Sequence, residues 1–153
     1  MRRDARSTRW MLAAALVSLY GVPFPARAAD PPAIALELNK LETVPAAPGQ
    51  PGSCRAYIVA TNPEGDETIE ALRLDLVLFG TDGVISRRVA LDLGPLPPGR
   101  MQVRPFDLRD QACEGLGQIL VNDVMQCRVA GTDRTDCLAR LRPTSRASAK
   151  LTK

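Results

Sequence analysis

Four cysteines, Cys54, Cys113, Cys127 and Cys137, and the absence of any histidine bound the chemistry open to this chain of 153 residues. All four cysteines follow a basic and then apolar N-terminal segment of the kind that directs export. An even number of cysteines in an oxidising compartment reads first as two disulfides. Three pairings are possible, and the favoured one joins Cys127 to Cys137 and Cys54 to Cys113. The first bond closes a short loop containing Gly131, and the second ties the second expected strand to the segment entering the sixth. Chain entropy puts their upper limits at about 3 and about 4 kcal/mol, enough to rival the stability of a whole domain. Zinc competes for such cysteines, but the chain has no C-x-x-C pair and no histidine, so no metal or other cofactor is expected. The same missing C-x-x-C argues against a redox-active dithiol.

Without histidine, Ser-His-Asp and Cys-His hydrolysis, His-ligated metals and imidazole acid-base catalysis are excluded. Carboxylate, Ser-Lys and Tyr chemistry remain. The only lysines are Lys40, Lys150 and Lys153, which gives a Ser-Lys dyad little to draw on. Asp107 with Asp110, and Glu64 with Asp66, lie in turn-like stretches where acids face water, so no catalytic role is expected. One polar pair, Asn122-Asp123, interrupts the apolar run from Ile119 to Val124. A buried polar group without a partner costs about 1–3 kcal/mol, so the plain reading is a bulge or strand end where both side chains bond nearby backbone. The functional reading makes Asn122 and Asp123 part of a partner-binding surface beside Cys127.

The elements that must position these residues read as strands. Ile34, Leu36 and Leu38 alternate with Ala35, Glu37 and Asn39, and Cys54 to Thr61 is rich in β-branched and aromatic residues. The loop between them, Pro45 to Gly52, is too rich in proline and glycine to continue a ladder. In Ile69 to Phe79 the leucines at 72, 74, 76 and 78 share one face, while Val77 and Phe79 make the far end apolar on both faces, which places this strand centrally. Gly80-Thr81-Asp82-Gly83 is a hairpin turn. It joins two strands without opening a helix, so it does not cradle phosphate. Val84 to Leu93 carries Arg87 and Arg88, paired charges that suit an edge strand. Met101 and Val103 alternate in one phase and Phe106 and Leu108 in the other, with Pro105 between, which predicts a bulge, again at an edge. Ile119 to Val124 is a further strand, and Cys137 to Leu141 reads as a seventh strand or a helical turn, with the strand favoured. With no long amphipathic helix, the fold class is all-β, an immunoglobulin-like β-sandwich of six or seven strands spanning residues 29–142.

The run Ala56 to Asn62, then Leu72 to Phe79, Asp82-Gly83 and Leu96-Pro97-Pro98-Gly99, resembles the FxLyD-type immunoglobulin-like domains of exported bacterial proteins. The resemblance covers roughly residues 54–108, and the four cysteines and the segment after Arg109 lie outside its pattern. It implies a sandwich scaffold and no activity. The whole chain also resembles small exported proteins of Gram-negative bacteria known by a twin-arginine signal, which implies a compartment alone.

Arg2, Arg3, Arg6 and Arg9 precede the apolar stretch Trp10 to Val22, and Ala26-Arg27-Ala28 follows, the order of a signal peptide cleaved after Ala28. The stretch is 13 residues long, whereas roughly 20 are needed to cross a bilayer, so no stable membrane anchor is expected. Arg2-Arg3 is compatible with either general secretion or the twin-arginine route. The chain has 20 Lys+Arg and 17 Asp+Glu, but five of the basic residues and one acid belong to the leader. The remainder is near neutral, and with Tyr57, Phe79 and Phe106 as its only aromatics it offers nucleic acid neither a basic surface nor a stacking platform. Leu138 to Lys153 holds Arg140, Arg142, Arg146, Lys150 and Lys153 with no acid, and residues 143–153 read as a disordered basic tail able to touch an anionic surface weakly. The expectation is therefore a periplasmic, non-catalytic protein-interaction module, accessory to a cell-envelope assembly, whose partner meets the edge carrying Arg87, Arg88 and the Met101 to Phe106 strand. The alternative is an inhibitor that presents the disulfide-closed Cys127 to Cys137 loop to a periplasmic enzyme.

Overall fold

Leucine at every second position gives one strand its place at the centre of the molecule. In β3 (Ile69–Gly80) the side chains of Leu72, Leu74, Leu76 and Leu78 are all buried, and the strand is paired on both sides. Its neighbours are β4 (Ile85–Asp92) at the sheet edge and β6 (Leu116–Val129), both antiparallel to it. The far side of β6 carries two short strands: β7 (Thr132–Asp133) at one end and β9 (Lys150–Thr152) at the other. The second sheet runs in the order β5 (Met101–Leu108), β2 (Ser53–Thr61), β1 (Ile34–Val44), β8 (Leu141–Ser145). A computed structural model describes residues 32–45, 52–64 and 66–153, which form this all-β sandwich of a four-stranded and a five-stranded sheet. The core between the sheets is aliphatic, with Ile34, Leu36, Leu38 and Ile58 of one sheet facing the β3 leucines, Ile119 and Val121 of the other.

The hairpin between β3 and β4 closes as its residues dictate. Gly83 N–H donates to the carbonyl of Gly80 at 3.0 Å, and Gly83 adopts a φ of 79°, a conformation that glycine takes without steric cost. Both strands named as edges are edges: β4 ends one sheet and β5 the other.

Four expectations change, and two others fall on residues 1–31 and 46–51, outside the described residues: the leader with its cleavage after Ala28, and most of the loop between β1 and β2. First, β5 has no bulge. Its register with β2 is continuous from Leu108↔Cys54 to Met101↔Thr61, with Pro105 opposite Tyr57. Gln102, Arg104, Phe106 and Leu108 share the inward face and Met101, Val103 and Pro105 the outward one, so the apparent phase switch was an apolar stripe turned to solvent. Second, Cys137–Arg140 is a helical turn, α1, and the strand begins only at Leu141. Third, there are nine strands among the described residues, because β7, β8 and β9 are too short to show an alternation. Fourth, residues 143–153 are ordered. β8 lies parallel to β1, β9 lies parallel to β6, and Ala149 and Leu151 are buried. The tail brings little apolar area of its own, but it docks on strands already in place, whose edges satisfy its backbone.

Candidate functional site

The two sides on which a sandwich is open are closed here by different means. On the β4–β5 side, inward-facing polar side chains cross between sheets. Arg87 of β4 donates to the Arg109 carbonyl at 2.6 Å, Gln102 of β5 donates to the Pro95 carbonyl at 2.7 Å, and Arg104 to that of Gly94 at 3.3 Å. Inward-turned charge on an edge strand obstructs the addition of a foreign strand, and Pro105 removes one donor from β5. Arg88 points outward and reaches across β3. Its guanidinium donates to both carboxylate oxygens of Asp75, at 2.6 and 2.7 Å, while the side-chain amide of Asn122 donates to Asp75 Oδ2 at 2.7 Å. The Asp75 side chain is 5% exposed and that of Arg88 is 68%. The Arg88 bond, helped by that of Asn122 and opposed by burial, holds the Asp75 carboxyl below the usual aspartate range. Arg88 and Asn122, expected to be free for a partner, are therefore joined through a carboxylate that sequence reading passed over, although an acid facing the apolar outward positions of a central strand was its signal.

Asn122 does sit at a bulge. Leu76 pairs with Val121 and Asp75 with Asp123, so Asn122 is the extra residue, and Met125 is a second one between Val124 and Gln126. Asp123 is exposed, and among the described residues its carboxylate accepts only the N–H of Val124, at 2.7 Å.

The opposite side is closed by buried groups. Cys127 is bonded to Cys137, with Cα atoms 6.4 Å apart, which fastens α1 to β6. The other disulfide lies away from this side: Cys54 of β2, opposite Leu108 of β5, is bonded to Cys113, with Cα atoms 4.9 Å apart. Both pairs are those favoured from the sequence. Arg140, which the sequence placed in the basic terminal stretch, is 3% exposed. It forms an ion pair with Asp66 and donates to the Pro32 carbonyl at 3.0 Å, linking α1 to the approach to β3 and to the start of β1. Most of the remaining basic residues near the C-terminus are also engaged. Arg142 donates to the carbonyls of Ala139 and Leu141, Arg146 pairs with Glu37 at 2.8 Å, and the Lys153 ammonium donates to the carbonyls of Leu138, Ala139 and Leu141. Burial and the charge of Arg142 hold the Lys153 amine below the ordinary lysine value.

The surface least explained by folding is the outward face of the four-stranded sheet. Met101 is 69% exposed and Val103 53%. Val103 lies opposite Val59, Met101 opposite Thr61 and Pro105 opposite Tyr57, so the apolar groups form one strip over β5 and β2. Ion pairs rim it: Arg55 with Asp107 at 2.6 Å, Lys40 with Glu42 at 2.9 Å, and Arg146 with Glu37. A depression of about 350 Å³ lies on this face between Ala35, Val59, Met101 and Arg146.

No family model and no curated protein matches the chain. Among solved structures it is similar to IrmA from Escherichia coli, at 14% identity and a TM-score of 0.53, over 72% of this chain and 90% of that one. This likeness is one of fold. Two disulfides suit an oxidising, exported location. No helix among the described residues is long and apolar enough to cross a membrane.

Proposed function

We propose that this is a periplasmic, non-catalytic protein-interaction module of the cell envelope, and that it docks through the outward face of its four-stranded sheet. The observation that carries the reading is the exposed strip of Met101 and Val103 beside Val59, Tyr57 and Pro105, rimmed by paired charges. An apolar centre within a polar rim is the anatomy of a protein interface, and methionine adapts to varied partners. The rim pairs cancel each other, so the partner offers an apolar surface with few unpaired charges of its own. Strand-edge addition at Arg87 and Arg88 is the poorer device, because those side chains already bond within the fold. The inhibitor alternative gains no support from the Cys127 to Cys137 loop, which walls a concave surface where an inhibitor would need a projecting one.

A photo-crosslinking residue placed at Val103, and separately at Arg87 and at Arg73, tests this in intact envelopes. A discrete adduct is expected from Val103 and none from the other two, and Met101→Asp should abolish it. Adducts from all three positions, or from none, would overturn the docking face.

A further inference from the structure

The 14-residue strand β6 is paired with β3 along its length, but its other edge is only partly covered. β9 pairs with Gln118, Ile119 and Leu120, and β7 with Arg128 and Val129. Arg134 N–H adds one bond, to the Cys127 carbonyl at 2.8 Å. From Val121 to Gln126 that edge has no strand partner among the described residues. There the disulfide-held segment from Asp133 to Ala139 stands off from β6 and leaves two adjoining depressions that share Thr135 and Leu138 as walls.

The depressions differ in chemistry. One, about 520 Å³, is walled by Leu120, Val121, Leu138 and Ala139. Lys153 also borders it, but its ammonium is held by three backbone carbonyls, which leaves Asn122 and Thr135 as the polar members of a mostly apolar lining. The other, about 440 Å³, is walled by Asp123, Gln126, Asp133 and Arg134. Asp133 is paired with Arg128 and Arg134 with Asp136. Asp123 has no ion-pair partner among the described residues; the nearby Arg88 guanidinium, which feels its charge, is already neutralised by Asp75, so the polar half keeps one net negative charge. The midpoints of the two stretches of β6, Val121 and Met125, are four residues apart, at most about 13 Å at roughly 3.3 Å per residue, and Asp123, two residues short of Met125, is within reach of a long basic side chain set there.

We propose that this groove binds an extended peptide segment carrying an aliphatic side chain and, four residues away on the same face, a lysine or arginine. The aliphatic group fills the Leu120–Leu138–Ala139 depression, the cation meets Asp123, and free backbone groups of β6 take up those of the peptide. The bulges at Asn122 and Met125 interrupt the ladder, so recognition rests on the two side-chain sockets more than on continuous strand addition. This site lies on the other sheet from the Met101–Val103 face and stands or falls separately from it.

The test is titration of the isotope-labelled, oxidised protein with the peptide acetyl-Thr-Leu-Thr-Thr-Thr-Lys-Thr-amide, followed by amide chemical shifts. Saturable shifts are expected at Leu120 to Cys127 and Arg134 to Ala139, with none at Met101 or Val103. Replacing the peptide's leucine by serine should abolish binding, and replacing its lysine by glutamate should weaken it about tenfold, the order expected on reversing one exposed ion pair. Asp123→Lys, at an exposed position, should invert the preference between the lysine and glutamate peptides. Ala139→Gln, also exposed, should block the apolar socket without altering the fold. The proposal is overturned if the peptide gives no saturable shift, if the two charged peptides bind equally, if Asp123→Lys leaves their order unchanged, or if the shifts fall on the Met101–Val103 face.

Discussion

The two lateral sides of the sandwich show how differently the same need can be met. Along β4 and β5 the gap between sheets is bridged by Arg87, Gln102 and Arg104, whose bonds to backbone carbonyls lie near water. Along β6, β8 and α1 it is bridged by the Cys127–Cys137 bond, by Arg140 inside the protein, and by Ala149 and Leu151 packed on the core. A hydrogen bond near solvent is worth about 0.5–1.5 kcal/mol because water replaces a lost partner. A buried charge has no such replacement. The first side should therefore tolerate substitution, and the second should fail when one member is removed.

Arg140→Ala is the strongest way to break that contrast. It leaves the partly buried Asp66 carboxylate and the Pro32 carbonyl without their donor, and removing one partner of a buried pair costs about 3–5 kcal/mol. Urea unfolding should show that loss, whereas Arg87→Ala should cost about 1 kcal/mol or less. Arg140→Met, which keeps most of the buried volume, should cost less than Arg140→Ala. Equal losses for Arg87→Ala and Arg140→Ala would erase the distinction between the two sides.

The covalent closure comes next. Replacing Cys127 and Cys137 together by serine should lower stability by about 3 kcal/mol on the chain-entropy estimate for a ten-residue loop. Amide hydrogen exchange should then quicken in α1, β8 and β9 before it does in β3. Uniform quickening would mean that this side is not the separately held unit described above.

Asp75 gives a third, smaller effect, with a pH signature. Its folded pKa lies below the unfolded aspartate value near 3.9, so its contribution is fully present above that value and is lost as pH falls through the folded one. Glu37, Glu42, Asp107 and Asp136 are shifted in the same direction, so the parent protein loses stability in this window from several carboxylates at once. Asp75→Asn should cost about 1–3 kcal/mol at neutral pH, and the difference from the parent should shrink below about pH 4. A difference that stays constant from pH 7 to pH 2 would show that the ionised carboxylate is not what Arg88 and Asn122 hold.

The contrast between the sides also governs what could be read from the sequence. Strands β1 to β6 are all legible, β1, β3 and β4 by alternation, β2 by its β-branched and aromatic residues, β5 by alternation taken for two phases, and β6 by an apolar run over part of its length. The cysteine pairs were legible from compartment and spacing. The strands of the C-terminal region were not, because β8 and β9 have five and three residues and their burial is supplied by β1 and β6. Arg140 was misplaced for the same reason: a basic residue among other basic residues looks solvated until its acceptors, Asp66 and Pro32, are brought from far along the chain. For the candidate surfaces, Asn122 and Arg88 were legible as residues out of keeping with their strands, but Asp75, which joins them, was not, because pairing register is invisible in sequence. The exposed strip was misread as a change of phase, since an outward-facing Met101 and Val103 alternate as regularly as buried residues do.

The smallest expected effect on folding is the one that bears most on function. Met101→Lys with Val103→Glu changes two side chains that make the outward face of β5 and contribute nothing to the core between the sheets. Surface changes of this kind typically move stability by no more than about 0.5 kcal/mol. The new charges lie two residues apart on one face and compensate each other, so net charge and solubility are kept. Unfolding in urea should thus be indistinguishable from the parent, while an apolar partner surface would have to desolvate both charges to dock and should no longer be captured. A large stability loss would mean that the strip packs against part of the protein itself. Unchanged stability with unchanged capture would leave the strip as ordinary apolar surface and move the search for the partner to the β6 groove.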